Sequence, residues 1–403
     1  MKVLFITNLF PFLHNPMRGI FITNRLKTMQ SFDMNFDIYG ITSKDTFGVK
    51  LLRKILSKTN ASVTASFYEV DGIKYKYASF SRSLGDVFNS RVLKKNNQIE
   101  NSKEVANKLF AEIKDEGFHI IHAHGMYDAP AGLVAKLLSQ KLNIPYVVTC
   151  HGSDINLAMP KAKELYVDVL ENAAKVIFVS NALLNKAKSF GYDGENSVVI
   201  PNGIEPDTFK PLDKEKIKEE LGLSKKVVGF VGNLVNVKRA DKLPDIFSYI
   251  TSIYDVEFLV VGDGELKENI EKECKKRRLQ VKFVGSVSHE DVPYYMNAMD
   301  VMILPSRNEG FGSVVIEAQG CGVAVVGSSN GGIPEAIGDG GVVVKEGEEF
   351  EKRFAESVVK LLENPIDGSY LRNRALGFSW ESIVEKEIEV YNEALNRFGG
   401  SNA

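Results

Sequence analysis

The sequence has few cysteines, no surplus of either charge and no long apolar run. Its three cysteines, Cys150, Cys274 and Cys321, have no metal-type spacing, and their small number excludes a disulfide-rich scaffold and suits a reducing compartment. The formal net charge of −2 gives no basis for a nucleic-acid partner. No apolar run approaches the ~18 residues of a membrane-spanning helix.

The N-terminal sequence also lacks the apolar core of a secretion signal. It is apolar only from Val3 to Ile6, before Asn8 and Pro11, which is too short for a signal peptide. Together with the cysteine content, this predicts a cytoplasmic protein.

The length and composition predict two globular domains. The 403 residues are 44% hydrophobic and 25% charged, as in soluble proteins, and they exceed one ordinary core. Strand-like apolar runs alternate with helical segments in both halves of the chain. The turn PNGIEPDTFKP interrupts this pattern and places a boundary near Gly203.

The most informative stretch, Asp300 to Gly327, is DVMILPSRNEGFGSVVIEAQGCGVAVVG. Its first apolar run, Val301 to Leu304, ends at Pro305 and predicts a buried strand. A helix is predicted from about Ser313, and a second buried strand from Val323 to Val326.

The turn before this helix has the composition of an anion site. Gly310 and Gly312 let backbone amides approach a ligand, and the helix dipole favours an anion by ~0.3–1 kcal/mol. Glu309 precedes the helix, and Glu317 lies eight positions on. Amides for a diphosphate and carboxylates for hydroxyl pairs are what a nucleotide sugar requires. A plain βαβ crossover with solvated glutamates is the alternative, and it explains the glycines and Pro305 poorly.

The segment EGFGSVVIEAQGCGVAVV resembles the donor-site signature of glycosyltransferase family 4, the retaining GT-B enzymes. The segment GNLV is similar to one in teichuronic-acid and other cell-surface polysaccharide transferases. The resemblance implies an α/β fold of two Rossmann-like domains that face each other across a cleft. Residues 1–203 would form the acceptor-side domain and residues 204–378 the donor domain. Residues 379–397 would form a C-terminal helix that packs back on the N-terminal domain.

The resemblance also implies roles for residues of the second half. Glu309 would bind donor-sugar hydroxyls, Glu317 the ribose hydroxyl pair, and the backbone near Val287 the base. The remaining donor contacts of this stretch would come from Gly310, Phe311, Gly312 and Ser313. Neither glutamate is expected to be a covalent nucleophile, because the retaining outcome is ascribed to attack on the same face with help from the leaving phosphate.

Two positions of the first half match the family as well. His151, in TCHGSD, follows a predicted strand, and by the resemblance it contacts the donor sugar near the reacting carbon. Gly19 would lie near the donor phosphate and the acceptor. Arg18 beside it is either a phosphate contact or a solvated arginine, and a satisfied loop histidine is the alternative for His151.

The segment GNLVNVKRADKL departs from the family pattern of Gly-Arg-Leu followed by Lys-Gly. Lys238 matches the lysine that reaches the diphosphate. Asn233 stands where the arginine is expected and brings no charge, whereas Arg239 stands at the glycine and is a candidate to compensate.

No metal or cofactor is expected. His119, His122 and His124 suggest a metal, but no Cys or acid stands at ligand spacing. The sequence has no Asp-x-Asp, the usual metal device of the other large transferase fold. Lys238, polar contacts and helix amides would therefore neutralise the leaving group.

The segment 47–58, FGVKLLRKILSK, has apolar residues every four positions among basic ones. This pattern indicates either a basic amphipathic helix on an anionic membrane or a surface helix with its apolar face on the core, and we prefer the second.

These features predict a retaining, metal-independent glycosyltransferase of the hexosyltransferase type. The donor would be a nucleotide-diphosphate sugar, with UDP-sugars as the first expectation. The acceptor would be a saccharide or lipid-linked saccharide in surface polysaccharide or glycoconjugate synthesis. A non-catalytic GT-B scaffold or nucleotide-sugar-binding protein is the alternative, and an epimerase ranks below it. The sequence leaves the donor sugar, acceptor and linkage open.

Overall fold

The chain divides into two compact units. The structure, a computed structural model, describes residues 1–11, 18–55, 67–91, 97–126 and 129–401. Unit 1 comprises Met1–Ile200 together with Val384–Ala403, and unit 2 comprises Pro201–Ile383. The domain boundaries expected after residues 203 and 378 lie close to these divisions.

Unit 1 is built on a sheet of eight strands. They are β1 (Lys2–Thr7), β2 (Asn35–Asp45), β3 (Phe67–Val70), β4 (Ile73–Arg82), β5 (Ile120–His124), β6 (Tyr146–Cys150), β7 (Lys175–Phe178) and β8 (Ser197–Val199). Their order across the sheet is β3-β4-β2-β1-β5-β6-β7-β8. β3 pairs antiparallel with β4, and the other pairs are parallel. The carboxyl ends of the parallel strands therefore meet at one edge.

The helices of unit 1 mostly follow the strands in alternation. They are α1 (Ile20–Ser31), α2 (Phe47–Ile55), α3 (Leu84–Arg91), α4 (Gln98–Ile113), α5 (Ala131–Leu142), the π-helical turn Asp154–Ala158, the 3-10 turn Met159–Lys161, α6 (Lys163–Glu171) and α7 (Asn181–Lys188). All residues of β5 and β6 are buried, which is typical of parallel strands covered on both faces.

Helix α2 differs from the preferred prediction for segment 47–58. Phe47, Leu51 and Ile55 are exposed, whereas Val49 is the residue that α2 buries. The expected packing of the Phe47 face against the core is therefore wrong. Residues 56–58 lie outside the described residues.

Unit 2 has a sheet of six parallel strands. They are β9 (Lys226–Val231), β10 (Val256–Val261), β11 (Val281–Gly285), β12 (Val301–Leu304), β13 (Ala324–Ser328) and β14 (Gly341–Val344), in the order β11-β10-β9-β12-β13-β14. The predicted strand at Val301 to Leu304 is confirmed. The second predicted strand begins one residue later, at Ala324, and β14 was not predicted.

The helices of unit 2 include two short 3-10 turns after β9. The full set is α8 (Lys214–Leu221), the 3-10 turns Asn236–Lys238 and Ala240–Lys242, α9 (Leu243–Thr251), α10 (Lys267–Lys276), α11 (Val292–Asn297), α12 (Ser313–Gly320), α13 (Ile333–Ile337), α14 (Phe350–Glu363), α15 (Gly368–Leu376) and the start of α16 (Trp380–Ser401). From Val384 onward α16 belongs to unit 1. No helix within the described ranges is long and apolar enough to cross a membrane.

Candidate functional site

The strand order of unit 2 reverses between β9 and β12. These strands are neighbours, with β10 and β11 on one side and β13 and β14 on the other. Open α/β sheets bind ligands outside the carboxyl ends of the strands at such a reversal. The loops that leave β9 and β12 carry Asn233, Lys238 and Glu309, so three of the predicted site residues lie at this point.

Arg307 joins these two loops, a contact that the sequence analysis missed. Its guanidinium donates to both carboxylate oxygens of Asp241, at 2.6 and 2.8 Å, and to the backbone oxygen of Asn236 at 2.6 Å. Its backbone N–H donates to the oxygen of Val237 at 2.8 Å. The bidentate geometry fixes the position of the Lys238 turn relative to the Glu309 loop.

Lys238 and Glu309 form an ion pair in this structure. The Lys238 ammonium donates to Glu309 Oε1, which also accepts from Ser306 Oγ at 2.9 Å. The side chains are 24% and 13% exposed, so the pair is largely buried but still reachable from solvent. The candidate phosphate cation and the candidate sugar acceptor therefore lie beside each other.

The turn from Asn330 to Gly332, just before α13, contacts the backbone of Glu309. The Gly332 N–H donates to the Glu309 backbone oxygen at 3.2 Å. Gly331 has φ +57°, and a Cβ there would lie 2.0 Å from the same oxygen. Because this approach excludes any side chain, a residue larger than glycine at position 331 would displace Glu309.

The helix with the anion-site composition begins where the sequence predicts. α12 starts at Ser313, after Gly310 and Gly312. Its first free N–H groups therefore face the end of the loop that carries Glu309. The Phe311 ring is buried and packs 5.8 Å from the ring of Phe378. The donor contact expected of Phe311 is therefore limited to its backbone.

Glu317 has a neighbour that the sequence analysis did not identify. His289 Nε2 lies 3.5 Å from Glu317 Oε1, and the ring of Phe209 packs edge-on against the imidazole at 5.0 Å. Burial acts to lower the His289 pKa, but Glu317, Glu205 and Glu290 outweigh burial and raise the pKa above its usual value. The sequence offered one signal for His289 as a site residue. His289 lies two positions after Val287, which is half-buried in the structure.

Arg239 adopts the backbone conformation of the glycine it replaces. Its φ is +54°, a region that glycine occupies most easily. The guanidinium donates to Glu346 Oε1 at 2.7 Å and lies 4.1 Å from the centre of the Phe350 ring. Its charge is therefore balanced by Glu346, which weakens the expectation that Arg239 compensates for Asn233. The Asn233 side chain is exposed.

The turn Gly262-Asp263-Gly264 packs against the loop that carries Asn233. The Leu234 N–H donates to the Asp263 oxygen at 2.8 Å, and a Cβ at Gly262 would lie 2.0 Å from the Gly232 oxygen. The two glycines thus permit close packing of two loops, which is their role in this structure.

In unit 1, His151 lies directly after β6 at the carboxyl edge of the sheet. Its Nε2 lies 3.0 Å from His124 Nδ1, and its ring is 4.6 Å from that of Phe21. Burial and the charge of Arg25 hold the pKa of His151 well below its usual value, so the imidazole is neutral at neutral pH. Its Nδ1 is buried and has no hydrogen-bond partner among the described residues.

His122 of this cluster and the exposed His119 also have hydrogen-bond partners. His122 is hydrogen-bonded to Tyr391 Oη at 2.6 Å and to Thr149 Oγ1 at 2.7 Å. His119 Nδ1 accepts from the Lys2 backbone N–H at 3.0 Å. Both side chains therefore have protein hydrogen-bond partners.

A buried ion pair holds α16 in unit 1. Arg25 Nε lies 2.7 Å from Glu387 Oε1, and both side chains are fully buried. Arg25 is also one of the charges that lower the pKa of His122, His124 and His151. The sequence alone does not indicate this pair, because 362 positions separate its members.

Gly19 lies on the loop after β1, at the same sheet edge as His151. It caps α1 with φ +71°, and a Cβ there would lie 2.7 Å from the Leu9 backbone oxygen. Arg18 beside it donates to the Asn8 backbone oxygen at 3.0 Å, which is a structural contact.

The chain is similar to known glycosyltransferases. Residues 213–376 match the family model described as glycosyl transferases group 1, and residues 65–208 match that of glycosyltransferase family 4. An uncharacterized glycosyltransferase of Methanocaldococcus jannaschii is 31% identical over 298 residues, which are 70% of this chain and 77% of that protein. The putative teichuronic acid biosynthesis glycosyltransferase TuaC of Bacillus subtilis is 28% identical over 348 residues, 84% and 83% of the two chains.

A solved structure identifies the fold. The structure of Anabaena HepE in complex with UDP aligns with a TM-score of 0.70 at 20% identity, over 97% of this chain and 100% of that one. The fold is that of the GT-B glycosyltransferases. Since a family model matches each half and a relative above 30% identity spans most of the chain, the protein belongs to the glycosyl transferases of group 1, enzymes that transfer a sugar from a nucleotide sugar.

Proposed function

We propose that the protein is a retaining, metal-independent hexosyltransferase that uses a UDP-sugar. Its acceptor is a saccharide or lipid-linked saccharide of surface polysaccharide or glycoconjugate synthesis, and it acts in the cytoplasm. One observation carries the proposal: Lys238, Glu309 and the N-terminus of α12 lie together where the strand order of unit 2 reverses. The similarity to TuaC supports the acceptor class, and the UDP complex of HepE supports the nucleotide.

In this proposal, unit 2 binds the nucleotide through three groups of contacts. The Glu317 carboxylate accepts hydrogen bonds from the ribose hydroxyl pair, and the backbone near Val287 meets the base. The N–H groups of Gly310, Phe311, Gly312 and Ser313 bind the diphosphate. An ammonium and free helix amides together suit a phosphate, because both supply donors and positive charge.

Lys238 and Glu309 share the work at the reacting end of the donor. An ammonium has three donors, so Lys238 can keep its bond to Glu309 and donate to the leaving phosphate as well. Glu309 has further lone pairs for donor-sugar hydroxyls. Because Asn233 brings no charge and Arg239 is paired with Glu346, Lys238 supplies most of the side-chain charge that the leaving group requires.

His151 is proposed to contact the donor sugar as a neutral group, and Gly19 to lie near the donor phosphate. Burial and Arg25 keep the pKa of His151 low, so its imidazole can donate or accept a hydrogen bond but supplies no countercharge. Attack on the face that the phosphate leaves requires no protein nucleophile, and we assign none to Glu309 or Glu317.

Turnover of nucleotide sugars tests this function. The protein is incubated with UDP-, GDP-, ADP- and dTDP-sugars and simple saccharide acceptors, and release of the nucleotide is measured with and without EDTA. We expect release from a UDP-sugar that survives EDTA and that Glu317→Ala lowers. Complete loss in EDTA with recovery in magnesium or manganese would contradict metal independence.

The same assay separates the enzyme from a non-catalytic scaffold. A scaffold would bind the nucleotide sugar and release nothing, with or without acceptor. An enzyme that prefers GDP-sugars would overturn the UDP assignment and leave the transferase assignment intact.

A further inference from the structure

Helix α2 exposes an apolar face to solvent. Phe47, Leu51 and Ile55 are 82%, 49% and 70% exposed. Residues four apart lie on one face of a helix, so these three form a continuous stripe. Among the described residues, α2 buries Val49 rather than any member of this stripe.

Helix α3 extends this stripe into a patch. Leu84 and Phe88, also four residues apart, are 48% and 55% exposed. The two helices adjoin, because a Cβ at Gly48 would lie 2.8 Å from Leu84 Cδ1. We name the five exposed side chains of α2 and α3 the apolar patch: Phe47, Leu51, Ile55, Leu84 and Phe88. A contiguous group of this kind marks an interaction surface in a soluble chain.

The charged residues around the apolar patch are mostly basic, with Asp86 on α3 as an acidic member that accepts hydrogen bonds from Ser83. Lys50 and Lys54 are exposed on α2. Asp45 is buried and bonded to two arginines, since Arg53 Nε lies 2.7 Å and Arg82 Nε 3.3 Å from its carboxylate. The carboxylate is therefore more than neutralised. The occupant that this charge favours is an anionic surface.

The apolar patch lies at the edge of the unit 1 sheet where the carboxyl ends of the parallel strands meet. α2 follows the carboxyl end of β2, and α3 follows that of β4. One sheet contains both of these strands together with β1 and β6, and all four run parallel. The loops that carry Gly19 and His151 leave the same edge, so a surface docked on the patch lies on the side of the sheet that carries both residues.

We propose that the apolar patch and its lysines dock the protein on an anionic lipid bilayer, where a lipid-linked acceptor is presented. The proposal rests on the proposed function for the acceptor class, but the docking itself requires no donor. The five apolar side chains would enter the interfacial region, and Lys50 and Lys54 would meet the lipid phosphates. Two copies of the patch would instead bring like charges together, which disfavours self-association.

Vesicle binding tests the docking. The full chain is sedimented with vesicles of phosphatidylcholine that contain about one third phosphatidylglycerol, and with pure phosphatidylcholine vesicles. We expect binding to the anionic vesicles and at least tenfold weaker binding to the neutral ones. Lys50→Gln with Lys54→Gln is expected to lower affinity for anionic vesicles about tenfold to thirtyfold, since each lysine near such a surface contributes a several-fold gain.

A second variant tests the apolar contribution against a matched control. Leu51→Ser with Phe88→Ser is expected to abolish vesicle binding and to leave the thermal transition unchanged, because both side chains are about half exposed. Ile253→Ser removes a side chain that is 54% exposed in unit 2, and it is expected to bind vesicles like the parent. Nucleotide release with a soluble acceptor stays at the parent level in all three variants, which separates this test from that of the proposed function.

Three outcomes would overturn the docking. A parent protein that binds neither type of vesicle excludes the bilayer as the occupant. Equal binding by the parent and by the Leu51 and Phe88 variant places the contact elsewhere. A dimer that light scattering detects and that this variant dissociates, without vesicle binding, identifies a second copy as the occupant.

Discussion

Lys238→Ala should impair turnover far more than donor binding. In the proposed site Lys238 is the main side-chain cation, since Asn233 is uncharged and Arg239 donates to Glu346. Negative charge grows on the leaving phosphate as the glycosidic bond breaks. The lysine therefore stabilises the transition state more than the bound donor.

The magnitude follows from the partial burial of the Lys238 pair. Lys238 is 24% exposed and Glu309 13%, so an effective dielectric constant of about 20 is appropriate. A full charge about 5 Å away then interacts with roughly 3 kcal/mol. Removal of the ammonium should lower kcat about 10²- to 10³-fold, the range seen when one oxyanion donor is lost.

Steady-state kinetics of nucleotide release measure this effect. Lys242→Ala is the matched control, because Lys242 lies in the same segment and its ammonium is 3.2 Å from Asp245. It should keep the parent kcat within about twofold. Asn233→Arg should be tolerated and should tighten donor binding, because it restores the charge that the family carries there. A Lys238→Ala enzyme within about twofold of the parent kcat would refute the placement of the phosphate.

Three further predictions follow from contacts within unit 1 and within unit 2. Glu317→Ala should weaken UDP binding about tenfold to a hundredfold, because a hydrogen bond to a charged group contributes ~1.5–3 kcal/mol. Unchanged affinity in a calorimetric titration would remove Glu317 from the site. The His289–Glu317 contact should stabilise unit 2 at low pH, because the folded-state pKa of His289 is raised. The difference in free energy of unfolding between the parent and His289→Ala should thus be largest below the unfolded pKa of ~6.5, and it should shrink as the pH rises through the raised pKa. Denaturant unfolding measures this difference, and a difference that is constant with pH would show that the contact carries no charge. Glu387→Ala should lower the free energy of unfolding by ~3–5 kcal/mol, because it leaves Arg25 buried without its carboxylate. The double variant Arg25→Met with Glu387→Leu should lower the free energy of unfolding much less. Equal decreases in the two proteins would contradict this account of the pair.

The strands and the loop before α12 could be predicted because their signals are local. The run from Val301 to Leu304 is apolar throughout and ends at a proline, and the run from Tyr146 to Cys150 is similarly compact. Parallel strands covered on both faces require such continuous runs. The start of α12 at Ser313 was marked by glycines, and Gly312 before it has φ +91°, a region that glycine occupies most easily.

The contacts that position the site could not be predicted because their members lie far apart in sequence. Arg307 and Asp241 are 66 positions apart, and His289 and Glu317 are 28 apart. Neither pair has a spacing that any helix or strand would bring together. β14 was not predicted because its strand-forming run is only three valines long and comes after Gly340 and Gly341, which are typical of a loop.

The orientation of α2 shows a different limit. The periodicity of Phe47, Leu51 and Ile55 defines an apolar face, but periodicity alone does not say whether that face meets the core or another surface. Val49 decides the outcome, because it is the residue that packs inward.

A crystal structure of the protein with UDP is the most direct test of the site in unit 2. It should show the diphosphate within hydrogen-bond distance of the Lys238 ammonium and of the N–H groups from Gly310 to Ser313, with both ribose hydroxyls on the Glu317 carboxylate. UDP bound away from the β9 and β12 loops, or bound there without contact to Lys238 and Glu317, would contradict the assignment.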